Sequence, residues 1–145
     1  MFRLNREGRS PAKISMAVAG GEQDTNMHIF RMMVERRVVD IIQPDFWYNG
    51  GFIRALRVAA MAEAAGMDIT PHSPQWGPGC AVKFHLAAIA PNAGRFQEHR
   101  AGRKLDWCTP SLAIEDGVVP MLTGPGWGVD IDPDFMKAAE VVLKS

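Results

Sequence analysis

Val38-Val39-Asp40-Ile41-Ile42-Gln43-Pro44-Asp45 is a run of β-branched residues that stops on a proline and an acid. Continuous apolar runs of this kind suit strands of a parallel sheet buried on both faces. The segment predicts a strand that delivers Asp45 at its C-terminal end. Upstream, the run from Ile14 to Val18 ends in Ala19-Gly20-Gly21-Glu22. Thr25 can then cap a helix in which Phe30, Met33 and Val34 share one face. Downstream, Asn49-Gly50-Gly51 leads into an alanine-rich helix from Phe52 to Ala65, with Ile53, Leu56 and Ala60 on one face and Gly66 as its C-cap. Met67 to Thr70 reads as a third strand, broken by Pro71 before His72. A third helix runs from Ala81 to Ala90 and ends at Pro91-Asn92, and a fourth strand, Arg95 to Gln97, arrives at Glu98.

Strand and helix alternate throughout this stretch, which argues for a parallel sheet with right-handed crossovers. Beyond Glu98 the pattern changes. Ser111 to Leu122 reads as two short extended pieces around an Asp116-Gly117 turn. Gly124-Pro125-Gly126-Trp127-Gly128 reads as a loop, and Pro133 starts a closing helix through Leu143. The expected division is a lead-in over residues 1–12, a partial barrel over 13–100 and a C-terminal extension over 101–145.

The 145 residues are 47% hydrophobic and 22% charged, which fits one globular domain. Sixteen basic residues balance sixteen acidic ones. That neutrality gives no reason to expect nucleic acid or a membrane surface as a partner. No stretch approaches the ~18 apolar residues of a membrane span. Arg3, Arg6, Arg9 and Lys13 precede no apolar segment of the signal-peptide kind. Cys80 and Cys108 lack metal-binding spacing and read as buried thiols in a cytoplasmic protein.

Each predicted strand delivers one ionisable residue at its C-terminal end: Glu22, Asp45, His72 and Glu98. They lie 23, 27 and 26 residues apart. A (β/α)₈ barrel allots ~30 residues per unit and builds its active site at those strand ends. An aspartate beside a histidine fixes its tautomer and raises its basicity, so His72 with Asp45 suits general acid–base work. Glu22 offers a hard oxygen to a divalent cation. Base and cation together suit removal of a proton next to a carboxylate. Blander roles compete at every position. Asp45 can cap its own turn, His72 can be a loop histidine, Glu22 can favour a helix N-terminus, and Glu98 can be solvated. His85 reads as structural. Trp47, Tyr48 and Trp76 fall in loops after strand ends, where they either shape a pocket or pack.

Four segments together resemble one family: Ala19-Gly20-Gly21-Glu22-Gln23, Asp40-Ile41-Ile42-Gln43-Pro44-Asp45, Thr70-Pro71-His72 and Gly124-Pro125-Gly126-Trp127-Gly128-Val129. In order and spacing they resemble the mandelate racemase and muconate-lactonising enzymes of the enolase superfamily. The resemblance implies an α/β fold: the C-terminal half of a TIM-like (β/α)₇β barrel, strands five to eight, with a tail returning to a capping domain. It implies Glu22 as a metal carboxylate, Asp45 and His72 as the catalytic dyad, Glu98 as a substrate-binding acid, and Mg²⁺ as cofactor. Gln43-Pro44-Asp45 with Thr70-Pro71-His72 is similar to the dehydratase side of the family. Gln23, Asn49, Ser73 and Gln75 add a polar surround suited to a hydroxylated acid. The expected reaction is therefore dehydration of a small-molecule sugar acid, with racemisation or epimerisation as the alternative.

The family also uses two further metal carboxylates and a lysine pair on earlier strands, which have no counterpart in this sequence. The chain is accordingly expected to be an incomplete part of the enzyme and inactive when isolated. It would then form a homo-oligomer or need the missing barrel half. A catalytically inert fragment is the competing reading.

Overall fold

The computed structural model describes residues 15–72, 79–99 and 107–138. Three short strands, β1 (Ala19–Gly20), β2 (Ile41–Ile42) and β3 (Asp68–Ile69), form a parallel sheet in chain order. Ala19 pairs with Ile41 and Gly20 with Ile42; Ile41 pairs with Asp68 and Ile42 with Ile69. Helices α1 (Met27–Arg36) and α2 (Phe52–Ala64) make the crossovers, and α3 (Gly79–Ile89) follows β3. The expected alternation is present as far as α3, giving a parallel α/β sheet with helices between its strands.

Several boundaries differ from the sequence reading. The cap of α1 is Asn26, whose Oδ1 accepts from the His28 N–H at 2.9 Å, rather than Thr25. The Thr25 carbonyl is instead used by Arg54, whose Nη2 donates to it at 2.8 Å. In α2 the buried face is Ala55, Val58, Ala59 and Ala62, while Ile53 and Ala60 are exposed. Small residues on that face let the helix sit close to its neighbours, which the larger residues had masked. The helix is capped by Ala65, with Gly66 just beyond it in the left-handed region at φ 63°.

The expected fourth strand at Arg95–Gln97 does not form. Pairing with β3 comes earlier: Ile69 donates to the Asn92 carbonyl at 2.9 Å, and Gly94 donates to that of Ile69 at 2.7 Å. Asn92 Nδ2 also donates to the carbonyls of Ala59 and Met67, tying this rung to α2 and β3. Glu98 is thus carried on a segment that leaves the sheet four residues earlier.

The main core lies between the sheet and its helices. Phe30, Met33 and Val34 of α1 meet Ile42 and Ile69, with Val58, Ala59 and Ala62 of α2 closing the other side. Phe30 has no exposed surface. Replacing it by alanine should cost about 3–5 kcal/mol. A lower urea midpoint with an unchanged slope would register that loss.

The C-terminal segment adds β4 (Cys108–Thr109), antiparallel to β5 (Asp130–Ile131), and α4 (Pro133–Lys137). Asp116 and Gly117 both have positive φ, at 49° and 78°, and join Glu115 to Val118 in the expected tight turn. The sequence reading placed no strand at Cys108 or at Asp130. Asp132 caps α4 through the Asp134 N–H at 2.8 Å. The expected continuation of that helix to Leu143, like the residues before 15, lies outside the described residues. Cys80 and Cys108 are both buried and form no disulfide. Among the described residues no helix is long and apolar enough to cross a membrane.

Candidate active site

The site begins with two prolines. Pro44 and Pro71 have no N–H to donate, so each marks the place where its strand leaves the regular ladder. The register continues one step further: His72 N–H donates to the Pro44 carbonyl at 3.0 Å, and Asp45 and His72 stand directly opposite as a parallel bridge. Two adjacent strand ends therefore present their next side chains to each other.

Asp45 is 2% exposed and uses both oxygens. Oδ1 accepts from the backbone N–H groups of Trp47 at 2.7 Å and Tyr48 at 3.1 Å. Oδ2 lies 3.0 Å from His72 Nδ1. The turn-capping role and the histidine-orienting role, read from the sequence as rivals, belong to one carboxylate. With Nδ1–H donated to Asp45, His72 Nε2 is left as the nitrogen turned toward the other two carboxylates. Nε2 lies 3.3 Å from Glu22 Oε2 and 3.6 Å from Glu98 Oε2. Side-chain exposure rises from 3% at Asp45 through 16% at His72 to 35% at Glu98 and 45% at Glu22. The imidazole thus bridges a sealed carboxylate and an open pair. All four predicted residues meet at this one imidazole.

Glu22 is aimed by the turn after β1. Gly21 sits at φ 110°, and a Cβ there would lie 3.2 Å from the Phe30 ring and 3.4 Å from Met33. Glycine lets the chain fold over α1 and leave Glu22 at the rim.

The other candidates divide. His85 Nε2–H donates to the Trp127 carbonyl at 2.9 Å, and its ring packs 5.5 Å from that of Trp127, so it anchors the glycine-rich loop. His99 Nε2–H donates to the Leu112 carbonyl, and burial pushes its imidazole below the usual range. Trp47 and Tyr48 are more than half exposed, and the Trp47 ring fills the space where Gly79 would carry a Cβ. Gln23 is exposed, but Asn49 is fully buried, so it is not part of a polar rim as its position in the sequence suggested. Ser73, Gln75 and Trp76 lie outside the described residues.

One charged residue escaped the sequence reading. Lys83 of α3 is fully buried. Its signal was spacing: Cys80, Lys83 and Leu86 recur every three residues and all face inward. Burial pushes the ammonium below its ordinary range, partly opposed by Cys80 and Glu98. The unfolded chain therefore binds the proton more tightly than the folded one. Between the lowered folded value and the ordinary value near 10.5, stability should rise with pH. Below that window the full penalty persists. Urea midpoints measured across the alkaline range should show this rise and lose it in Lys83→Met.

Glu22 supplies one hard oxygen for a divalent cation. Among the described residues no group of three or more His, Cys, Asp or Glu is arranged to hold a metal. A single carboxylate leaves Mg²⁺ mostly hydrated and weakly bound, so the residues present do not form a complete site for it.

The profile of the enolase C-terminal domain-like family matches residues 3–135. The chain belongs to that family. The curated relatives of this enolase-type chain include the D-galactonate dehydratase of Klebsiella pneumoniae (strain 342). That protein is 32% identical over 135 residues, covering 87% of this chain and 35% of the relative. Among solved structures, a racemase candidate from Roseobacter denitrificans superposes with a TM-score of 0.79 at 36% identity, covering 88% of this chain and 37% of that one. An enolase from Agrobacterium radiobacter with bound Na and L-malate superposes at 0.69 and 28% identity, covering 83% and 35%. The chain spans about a third of the length of these relatives. The relatives it resembles thus include a D-galactonate dehydratase and a racemase candidate.

Proposed function

We propose that this chain supplies the proton-transfer face of an enolase-type acid-sugar dehydratase. The observation that carries this reading is the geometry at His72: Nδ1 fixed 3.0 Å from a buried carboxylate, Nε2 open toward Glu22 and Glu98. Substrate is a small hydroxylated carboxylic acid. His72 Nε2 takes the proton from the carbon next to the carboxylate, or returns a proton to the departing β-hydroxyl. Asp45 holds the imidazole in the required tautomer and stabilises the imidazolium that forms. Glu98 contacts the substrate beside Nε2.

Glu22 is the carboxylate this chain contributes to a Mg²⁺ site completed by further ligands. Bound there, the cation would draw off charge developing on the substrate carboxylate.

The likeness to the Roseobacter denitrificans racemase candidate supports a second reading in which the same abstraction ends in inverted stereochemistry. One assay separates the two. The protein is incubated with Mg²⁺ and a panel of sugar acids in deuterated water, with and without the N-terminal two thirds of a relative added in trans. A 2-keto-3-deoxy product supports dehydration, and a deuterated epimer supports racemisation. Neither product in either mixture would overturn both readings and leave the inert fragment.

A further inference from the structure

Glu22 and Asp45 reach His72 from the turns that follow β1 and β2, and one side chain joins those turns. Arg54, in the first turn of α2, donates from Nη2 to the Thr25 carbonyl at 2.8 Å. Thr25 follows Glu22 closely and stands just before Asn26, the cap of α1. The ladder of α1 starts at the Asn26 carbonyl, which accepts from the N–H groups of Ile29 at 3.0 Å and Phe30 at 3.3 Å. The Thr25 carbonyl is outside that ladder, so its bond to Arg54 holds the turn rather than the helix.

The Arg54 side chain is laid out by the other turn. Asn49 N–H donates to the Asp45 carbonyl at 2.8 Å and Gly51 N–H to that of Phe46 at 2.7 Å, folding the chain back before α2. Gly50 stands at φ 88°, and a Cβ there would lie 3.2 Å from Arg54 Cδ and 3.5 Å from Nε. Glycine at this point lets the arginine stem cross the turn. Nε is sealed from solvent and has no hydrogen-bond partner among the described residues. An arginine reaching into solvent would satisfy that donor. The conformation seen gives it up and keeps the bond to Thr25.

Within the turn after β1, Asp24 N–H donates to the Gly21 carbonyl at 3.1 Å, closing the chain around Glu22. Glu22 itself is 45% exposed, so packing alone does little to fix its place. We propose that Arg54 is a positioning residue for Glu22. By holding the Thr25 carbonyl it sets the turn after β1 against the turn that starts at Asp45, which keeps Glu22 Oε2 3.3 Å from His72 Nε2. The proposal deepens the dehydratase reading and rests on it for the role of Glu22. Arg54 touches no substrate; it acts through the carboxylate.

Two measurements test it, one of them independent of turnover. Amide hydrogen exchange by NMR follows the Asp24 N–H, which reports the turn, and the Phe30 N–H, which reports α1. Arg54→Met should speed exchange at Asp24 about 3- to 10-fold, the ratio that the net contribution of one hydrogen bond corresponds to, and leave Phe30 unchanged. Arg57→Met, which removes the same charge from the exposed face of the same helix, should move neither. Unchanged exchange at Asp24 in Arg54→Met, or an equal rise at Phe30, overturns the tether. In the turnover assay, Arg54→Met should lower kcat/KM about 10- to 100-fold, because displacing a site group by about 1 Å can cost that much. Arg54→Lys keeps a donor on a flexible stem and should recover part of both effects. In a Glu22→Gln background, Arg54→Met should add less than about twofold. Equal losses in both backgrounds mean that Arg54 does not act through Glu22. Faster exchange with no turnover in any variant keeps the tether and overturns the reaction; turnover with unmoved exchange does the reverse.

Discussion

Replacing His72 by asparagine should lower the rate of α-proton exchange by about 10²–10⁴-fold, the usual contribution of a positioned acid–base group. The side chain is only 16% exposed, yet its Nε2 faces the open pair Glu22 and Glu98, the side from which a substrate would approach it. Asparagine cannot accept and return a proton near neutral pH. The fold should survive the change. Asp45 keeps both backbone donors on Oδ1, and only the Oδ2 contact is altered. A loss of about 1–3 kcal/mol, the cost of leaving one partly buried acceptor short of a partner, bounds the effect on stability. The measurement is deuterium uptake at the carbon next to the carboxylate, followed for both stereoisomers. Uptake at the wild-type rate for both would mean that His72 is not the base.

How much of this was legible in the sequence depended on which force sets each feature. Pro44-Asp45 and Pro71-His72 were readable because a missing N–H ends a ladder wherever the strand stands. Once two such ends are adjacent, their next residues must face each other. Glu22 was readable for a related reason, since position 21 stands at φ 110° in tight contact with Phe30, a place that favours glycine.

The rung at residues 92–94 was not readable, because Pro91-Asn92 signals the end of a helix and carries no mark of pairing. Its trace is Gly94, where a Cβ would come within 2.9 Å of Thr70 Oγ1. The buried face of α2 was misjudged because alanines allow close packing that a larger, exposed Ile53 does not advertise. Lys83 was hidden by a sound rule, that charges seldom lie inside; an exception of that kind shows only when the helix is seen against its neighbours.

Asp45 permits a sharper separation of roles, because each oxygen has its own partners. In Asp45→Asn the remaining oxygen can still accept from Trp47 and Tyr48, so the turn after β2 should keep its cap. The new amide, however, sets an N–H₂ against His72 Nδ1 where an acceptor stood at 3.0 Å. Two donors cannot share that space, so the imidazole must move its proton to Nε2 and offer a lone pair at Nδ1. The nitrogen facing the substrate would then be protonated, and the base would be lost. Turnover should fall by up to ~10⁴-fold with little change in the urea midpoint. Asp45→Ala removes both functions. It leaves two partly buried N–H groups without an acceptor, at about 1–3 kcal/mol each, so the midpoint should fall along with the activity. If Asp45→Asn retained near-normal turnover, the tautomer of His72 would not be set by this carboxylate. If it unfolded as readily as Asp45→Ala, the charge of Asp45 would serve the turn more than the histidine.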